Sequence, residues 1–240
     1  IGRIPVRLVT ELQDVVDKTL YFEGGEYADP SYANRAAFLA GTDPYADAET
    51  WHNSIISTYM DPAGIESIRL YTVSYGATPQ DVRDAFNEGV FLASYFGHAA
   101  GFHAWGRPAF TFEDIEGLTN ENLYPFLMSY SCSSANFDLL PDDQSPGWLE
   151  KWLTVPQKGA AVCYGTTSGI EPYEWSAWGN LYTFMMQALY GNQLRQIGKA
   201  AQYADGLFVA YYGTTDPVAR DMVEEFLVLG DPSMELPQRP

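Results

Sequence analysis

The sequence predicts an α/β fold in which a mostly parallel central sheet is flanked by helices. Apolar runs alternate along the chain with segments of helical period, which is the pattern of layered α/β domains. Three runs are apolar throughout, at 89–96, 124–131 and 159–165, as is typical of parallel strands covered on both faces. With 46% hydrophobic and 18% charged residues, the 240-residue chain has enough apolar material for the core of one domain.

The first part of the chain is expected to supply two helices and two strands. Residues 11–23 have helical period, and the expected buried face consists of Leu12, Val15, Val16, Thr19 and Leu20. The elements predicted next are a strand at 36–40, a helix at 47–60 and a strand at 67–73.

The following helix has a clear start signal. Thr78 offers an N-cap side chain, Pro79 suits the first helical position, and Asp81 completes a capping box three residues later. This helix is expected to end near Gly89, where the first fully apolar strand begins. The direct succession of helix and strand favours a parallel sheet with helical crossovers.

Helices account for most of the remaining chain. Ser145 and Pro146 are expected to cap a short amphipathic helix over 147–153, between the second and third apolar strands. The other elements predicted are helices at 175–190, 193–211 and 216–226 and a closing strand at 226–229. Because no repeat or low-complexity linker divides the chain, a single domain over 1–240 is expected.

The charge balance argues against several classes of partner. With 31 acidic and 13 basic side chains, the formal net charge is −18, and such a field repels a nucleic-acid backbone. No run of about eighteen apolar residues is available to span a membrane. The opening residues lack a basic segment followed by an apolar run, so no signal peptide is expected in this numbering.

Two of the apolar strands run into reactive side chains. His98 follows the run 89–96, and Cys132 follows the run 124–131. Since the loops that leave the carboxyl ends of parallel strands share one edge of the sheet, these side chains are expected to lie near each other. An imidazole beside a thiol takes its proton during attack and later protonates the leaving amine. The backbone amides of Ala99 and Cys132 are the expected donors to an oxyanion.

The residue pattern alone leaves other interpretations open. A lone cysteine at a strand end is more often a small buried apolar residue, and a lone histidine after glycine is more often structural. The two cysteines, Cys132 and Cys163, are an alternative disulfide pair, although Cys163 lies inside its strand. Serine-hydrolase, P-loop and zinc-peptidase motifs are absent from the sequence. His98 and His103 form a poor metal pair, so no catalytic metal is expected.

Four segments of the sequence resemble the gingipain-type cysteine peptidases, peptidase family C25. The family's histidine segment, a strand that leads into Gly-His and then Ala-Trp-Gly, is similar to LASYFGHAAGFHAWG at 92–106. Its cysteine segment is similar to FLMSYSCSSANFD at 126–138, and its closing strand and turn are similar to FLVLGDPSMEL at 226–236. A helix that precedes its catalytic part resembles VDKTLYFE at 16–23. The segments occur in the family's order and cover nearly the whole chain.

The resemblance implies a caspase-like three-layer sandwich and cysteine endopeptidase activity. Carried over to this sequence, Cys132 is the nucleophile and His98 the general acid–base, and no cofactor is required. The glycine that usually follows the histidine is replaced by Ala99. Alanine still offers its amide to an oxyanion, unless the turn requires a positive φ.

The resemblance to the family is weaker in the pocket that binds the residue before the scissile bond. Trp175 resembles an aromatic residue that lines this pocket in the family. The family's acidic specificity residues fall within 41–53, but the nearest match to the pocket carboxylate is Ala48. The expected substrate-binding acids in this stretch are Asp43, Asp47 and Glu49. If one of these acids points into the pocket, a preference for arginine or lysine is expected, as the analogy and the acidic surface favour. If none does, the aromatic wall should favour an apolar or small residue.

The resemblance also implies partners and a location. The expected substrate is a peptide or protein, a structural calcium ion is an option, and the expected location is secreted or at the bacterial cell surface. The opening IGRIPV resembles the end of an upstream subdomain, so such a subdomain or a propeptide is an expected partner. Two alternatives remain, a catalytically silent caspase-like scaffold or binding domain and a non-enzymatic domain with a structural cysteine pair.

Overall fold

A seven-stranded sheet runs through the middle of the protein. The computed structural model describes residues 1–25, 27, 29–43, 45–101, 103–137, 145–169 and 175–237. Within these residues the strands are β1 (Gly2–Arg3), β2 (Arg35–Ala40), β3 (Glu66–Tyr71), β4 (Leu92–Phe96), β5 (Phe126–Tyr130), β6 (Val162–Thr166) and β7 (Phe226–Leu229). Their order across the sheet is β1-β7-β6-β5-β4-β2-β3.

The sheet is mostly parallel, as the sequence predicts. Strands β2 to β6 all run in one direction, whereas β7 pairs antiparallel to β6 and β1 runs parallel to β7. The three continuously apolar strands β4, β5 and β6 are neighbours in the centre, and every one of their residues is buried. Two-sided burial explains why these strands lack an apolar–polar alternation in sequence.

Helices cover both faces of the sheet. They are α1 (Val9–Gly24), α2 (Tyr45–Ile55), α3 (Pro79–Glu88), α4 (Phe112–Glu116), α5 (Trp148–Thr154), α6 (Trp175–Met186), α7 (Ile197–Tyr212) and α8 (Pro217–Glu225). The core between the sheet and helices α2, α6, α7 and α8 contains Phe96 and Met128, whereas the core on the face of α3, α4 and α5 contains Tyr95 and Leu127. Successive residues of a strand thus pack into the cores on opposite faces of the sheet. The predicted three-layer sandwich is confirmed.

Helix starts depend on hydrogen bonds that the sequence indicates only in part. The predicted capping box of α3 is present, since the amide of Thr78 donates to Asp81 Oδ2 at 2.8 Å and the Thr78 hydroxyl accepts from the Asp81 amide. The predicted cap of α5 at Ser145-Pro146 is wrong. The helix is capped at Gly147, whose amide donates to Glu150 Oε2 at 2.9 Å.

Helix α1 is present where predicted, but its buried face is partly wrong. Val15 and Thr19 are buried as expected, whereas Leu12, Val16 and Leu20 are 40%, 39% and 63% exposed. The helix buries a charged residue instead, because the ammonium group of Lys18 donates to the backbone carbonyl oxygens of Trp152 (3.4 Å), Val155 (3.0 Å) and Lys158 (3.0 Å). This contact docks α1 against the end of α5.

Within the described part of the chain, no helix has the length and apolar character needed to cross a bilayer.

The expectation of a single domain over 1–240 stays a prediction, as does any upstream subdomain. Strand β1 and helix α4 were not predicted, since two residues and five residues give too short a pattern to recognise.

Candidate active site

The paired ends of β4 and β5 place His98 beside Cys132. Phe96 of β4 is aligned with Tyr130 of β5, and the amide of Gly97 extends the ladder by donating to the Tyr130 carbonyl at 3.2 Å. His98 and Cys132 each follow the aligned pair by two residues. Adjacent strands lie about 4.8 Å apart, so the two residues leave the sheet side by side at one edge, as the sequence predicts.

Aromatic residues of β4 and of the loop itself hold the loop that carries His98. Tyr95 Oη and the amide of Gly106 both donate to the His98 carbonyl oxygen, at 2.7 and 2.9 Å. Trp105 is fully buried, stacks on Tyr95 at a centroid distance of 4.5 Å and donates from Nε1 to Ser129 Oγ at 3.0 Å. The Ala-Trp-Gly stretch after the histidine therefore ties this loop to β5.

A glycine is required immediately before the histidine. A Cβ atom at Gly97 would lie 2.8 Å from Tyr95 Oη and 3.1 Å from the Cα atom of Gly41, at the end of β2. The carboxyl ends of β2 and β4 thus approach closely. This approach brings the segment after β2, with Asp43, next to His98.

The amide of Ala99 donates none of the backbone hydrogen bonds found among the described residues. Ala99 forms an isolated antiparallel bridge with Trp105, and the bonds of this bridge run from Ala100 to Ala104 and from Gly106 to His98. The N–H of Ala99 itself lies outside that ladder. Among the described residues, the non-glycine positions with positive φ do not include Ala99. The replacement of the usual glycine therefore requires no strained backbone.

The turn that carries Cys132 begins with a left-handed residue. Ser133 has a φ of 52°, an uncommon conformation for serine that turns the chain sharply after Cys132. The turn is tied to the strand beyond, since the amide of Ser133 donates to Ser168 at 2.7 Å and that of Ala135 to Thr166 at 2.8 Å. Cys132 itself is half-buried.

His98 contacts a carboxylate on one side. Its Nε2 donates to Asp43 Oδ2 at 3.3 Å, and the side chains of His98 and Asp43 are 54% and 75% exposed. A hydrogen bond from Nε2 leaves Nδ1 as the imidazole nitrogen for the thiol. Sequence reasoning placed Asp43 in the substrate pocket and missed this contact.

Trp175 also packs against His98. It is the first residue of α6 and is half-buried, and its ring meets the imidazole edge to face at a centroid distance of 5.1 Å. The structure thus brings Trp175 to the site, as expected for a residue of the adjoining pocket.

The other two predicted acids lie apart from the imidazole. Glu49 is buried, and both oxygens of its carboxylate accept hydrogen bonds from Ser74, from the amide at 3.2 Å and from the hydroxyl. This contact fixes the loop after the edge strand β3. Asp47 is exposed in the first turn of α2.

The two cysteines occupy different environments and do not form a disulfide. Cys163 is fully buried within β6, and burial raises the pKa of its thiol to about 12. Its side chain belongs to the core on the α5 face, whereas Cys132 packs against the opposite core. Of the two thiols, only Cys132 lies at the edge of the sheet with the imidazole.

The described residues offer no evident metal centre. No group of three or more His, Cys, Asp or Glu side chains among them is arranged to hold a metal ion. Calcium binding stays a prediction.

A cysteine and a histidine at the ends of adjacent parallel strands, on a caspase-like sheet, define the class of cysteine peptidases with this fold. The chain belongs to peptidase family C25, whose family model matches residues 1–237. The resemblance seen in the sequence is thereby confirmed, and with it the assignment to a gingipain-like family of cysteine endopeptidases.

Curated relatives of the chain are gingipains. Gingipain R2 of Porphyromonas gingivalis is 30% identical over 142 residues, which cover 57% of this chain and 19% of that protein. Lys-gingipain HG66 of the same species is 28% identical over 176 residues, or 71% of this chain and 10% of that protein. The chain thus spans a minor part of the length of these relatives.

Solved structures with the same fold include a gingipain and a separase. The Arg specific cysteine proteinase gingipain R matches with a TM-score of 0.84 at 22% identity, over 98% of this chain and 55% of that chain. The Saccharomyces cerevisiae separase–securin complex matches with a TM-score of 0.53 at 12% identity, over 82% of this chain and 12% of that one. The caspase-like fold is therefore confirmed.

Proposed function

We propose that the chain carries the catalytic part of a cysteine endopeptidase, with Cys132 as nucleophile and His98 as general acid–base. The observation that carries the proposal is the register of β4 and β5, which aligns the two residues at one edge of the sheet. Family membership supports the same activity.

The chemistry begins with transfer of the Cys132 thiol proton to His98 Nδ1. The sulfur then attacks the carbonyl carbon of the scissile bond, and a C–S bond forms as the carbonyl oxygen gains negative charge. The amides of Ala99 and Cys132 are the proposed donors to this oxyanion.

The reaction is completed by three proton transfers through the same imidazole. When the C–N bond breaks, His98 returns its proton to the leaving amine, and a thioester with Cys132 remains. His98 then takes a proton from water as its oxygen attacks the thioester, and it returns this proton to the departing sulfur, which releases the carboxylic acid and the free thiol. Asp43 is proposed to orient the imidazole and to stabilise its cationic form, in place of the substrate contact expected from sequence.

The substrate is proposed to be a peptide or protein whose residue before the scissile bond lies against Trp175. A propeptide is a proposed partner, since the pro- and mature domains of the Porphyromonas gingivalis RgpB protein form a complex in a solved structure that matches this chain with a TM-score of 0.82. Export to the medium or to the bacterial surface is proposed from the family relationship.

Alkylation under native conditions tests the proposal. We expect iodoacetamide to label Cys132 at least about ten times faster than Cys163, because Cys163 is buried and burial raises its thiol pKa to about 12. Intact mass and peptide mapping give the two rates, and hydrolysis of a casein substrate is followed in parallel. Slow labelling of both thiols without hydrolysis would instead support a silent scaffold.

Replacement of Asp43 tests its orienting role. Asp43→Ala is expected to lower kcat/KM by about tenfold, a modest loss because the carboxylate is 75% exposed and solvent screens its charge. Asp43→Asn keeps a hydrogen-bond acceptor and should lose less. The matched control is Asp61→Asn, a change at an exposed acid after α2. If both Asp43 variants kept full activity across the pH profile, the contact with His98 would have no catalytic role.

A further inference from the structure

Two half-buried tryptophans lie near His98 on the face covered by α2 and α6. Trp175 contacts the imidazole, and Trp51 of α2 packs on Phe96 at a centroid distance of 4.6 Å. Phe96 also contacts Trp175 at 5.9 Å. Because Phe96 is the last residue of β4, both indoles lie at the edge of the sheet that carries the site. Sequence reasoning did not single out Trp51.

Trp51 is seated one helical turn further along α6 than Trp175. A Cβ atom at Gly179 would lie 2.1 Å from Cε2 of Trp51, so the indole rests directly on the backbone of this glycine. Gly179 follows Trp175 by four residues, and such residues share a helix face. The indole of Trp51, called the floor below, therefore lies on the same face of α6 as Trp175 and one helical turn away from it.

Helix α2, which carries Trp51, is anchored by hydrogen bonds of the next residue. His52, the residue after Trp51, is fully buried, and its Nε2 donates to the Leu39 carbonyl at 3.0 Å while its Nδ1 accepts from Tyr182 Oη at 3.1 Å. Burial lowers the pKa of His52 to about 4, so the neutral imidazole keeps both hydrogen bonds at physiological pH. These bonds tie α2 to β2 and to α6.

The three described acids that were expected in the pocket are engaged elsewhere or solvated. The carboxylate of Asp43 accepts from His98, and that of Glu49 accepts from Ser74. Asp47 precedes Trp51 by one turn of α2 but is exposed, so water screens the charge of its carboxylate. Ala48, the nearest match to the pocket carboxylate by resemblance, is fully buried and uncharged.

We infer that the subsite for the residue before the scissile bond takes a large apolar side chain and that Trp51 determines this preference. The inference rests on the proposed function, because attack by Cys132 defines which substrate side chain lies beside Trp175. Strong selection for arginine or lysine requires a desolvated carboxylate that pairs with the cation. Two indoles instead bury apolar surface, which favours phenylalanine or leucine over a charged side chain that would lose its hydration.

Fluorogenic peptides that differ only in this residue test the inference with the full chain. We expect kcat/KM for phenylalanine or leucine to exceed that for arginine and lysine by at least about tenfold. Trp51→Ala should lower kcat/KM for the phenylalanine peptide about tenfold while the alkylation rate of Cys132 stays unchanged. Trp51→Phe retains an aromatic floor and should retain most of the preference. The control is Tyr203→Ala, a change on the surface of α7.

The outcomes separate this inference from the proposed function. Turnover that favours arginine or lysine, or a Trp51→Ala variant with an unchanged preference, would contradict the subsite while leaving the peptidase intact. Absence of turnover for every peptide, together with slow alkylation of Cys132, would contradict both.

Discussion

Cys132→Ala is expected to reduce peptide hydrolysis by about 10⁴-fold or more while the protein stays folded. The thiol forms the covalent bond to the substrate in the proposed mechanism, and alanine offers no nucleophile. The side chain is half-buried at the end of β5, so its loss should change the melting temperature by no more than about 2 °C. Initial rates with a fluorogenic peptide and a thermal melt on the same sample measure both effects.

Cys163→Ser is the matched control for this experiment. It should retain peptidase activity and lose stability, because Cys163 is fully buried inside β6 and a hydroxyl there is poorly satisfied. If Cys163→Ser abolished activity in a folded protein and Cys132→Ala did not, the roles of the two cysteines would have to be exchanged.

His98→Ala should be impaired to a similar degree, and the double variant with Cys132→Ala should be no worse than either alone. The two side chains act as one unit, so their losses are not additive. Additive losses would show that His98 contributes by some route other than the thiol.

The central sheet and the placement of His98 and Cys132 at adjacent strand ends could be predicted because both follow from strand patterns. β4, β5 and β6 are buried on both faces, and such strands are visible as unbroken apolar runs. His98 and Cys132 follow two of these runs directly, and parallel pairing then brings them to one edge. Sequence periodicity is sufficient for this conclusion because no side-chain packing detail is involved.

The features that were missed depend on contacts between distant residues. Nothing in the helical period of α1 indicates that Lys18 is buried, because its acceptors are backbone carbonyls of Trp152, Val155 and Lys158, more than a hundred residues away. The contact of Asp43 with His98 arises from the close approach of the ends of β2 and β4, where Gly41 packs against Gly97. Trp51 likewise gains its place from Gly179 on another helix.

The buried lysine gives the largest expected effect on stability. Lys18 is 1% exposed and donates to three carbonyl oxygens at the end of α5, two of them at 3.0 Å. Lys18→Met keeps the apolar stem but leaves these acceptors without a donor. At pH 9 the amine of Lys18 is mainly neutral and has two N–H donors for these acceptors. Since each buried group left unsatisfied costs about 1–3 kcal/mol, we expect a loss of about 3 kcal/mol in the free energy of unfolding at pH 9. Lys199→Met, on the exposed side of α7, is the control and should be close to neutral.

The destabilisation caused by Lys18→Met should also depend on pH in a defined direction. Burial lowers the pKa of Lys18 to about 7, whereas the unfolded chain keeps the ordinary value of 10.5. Between these values the unfolded state binds one more proton than the folded state, so wild-type stability gains from a rise in pH and the methionine variant does not. The difference between the two proteins should therefore be smallest below pH 7 and should widen by about 1–2 kcal/mol between pH 7 and pH 9. Urea unfolding at pH 6, 7 and 9 measures it, and a difference that stays constant over this range would mean that the folded protein holds Lys18 as a cation throughout.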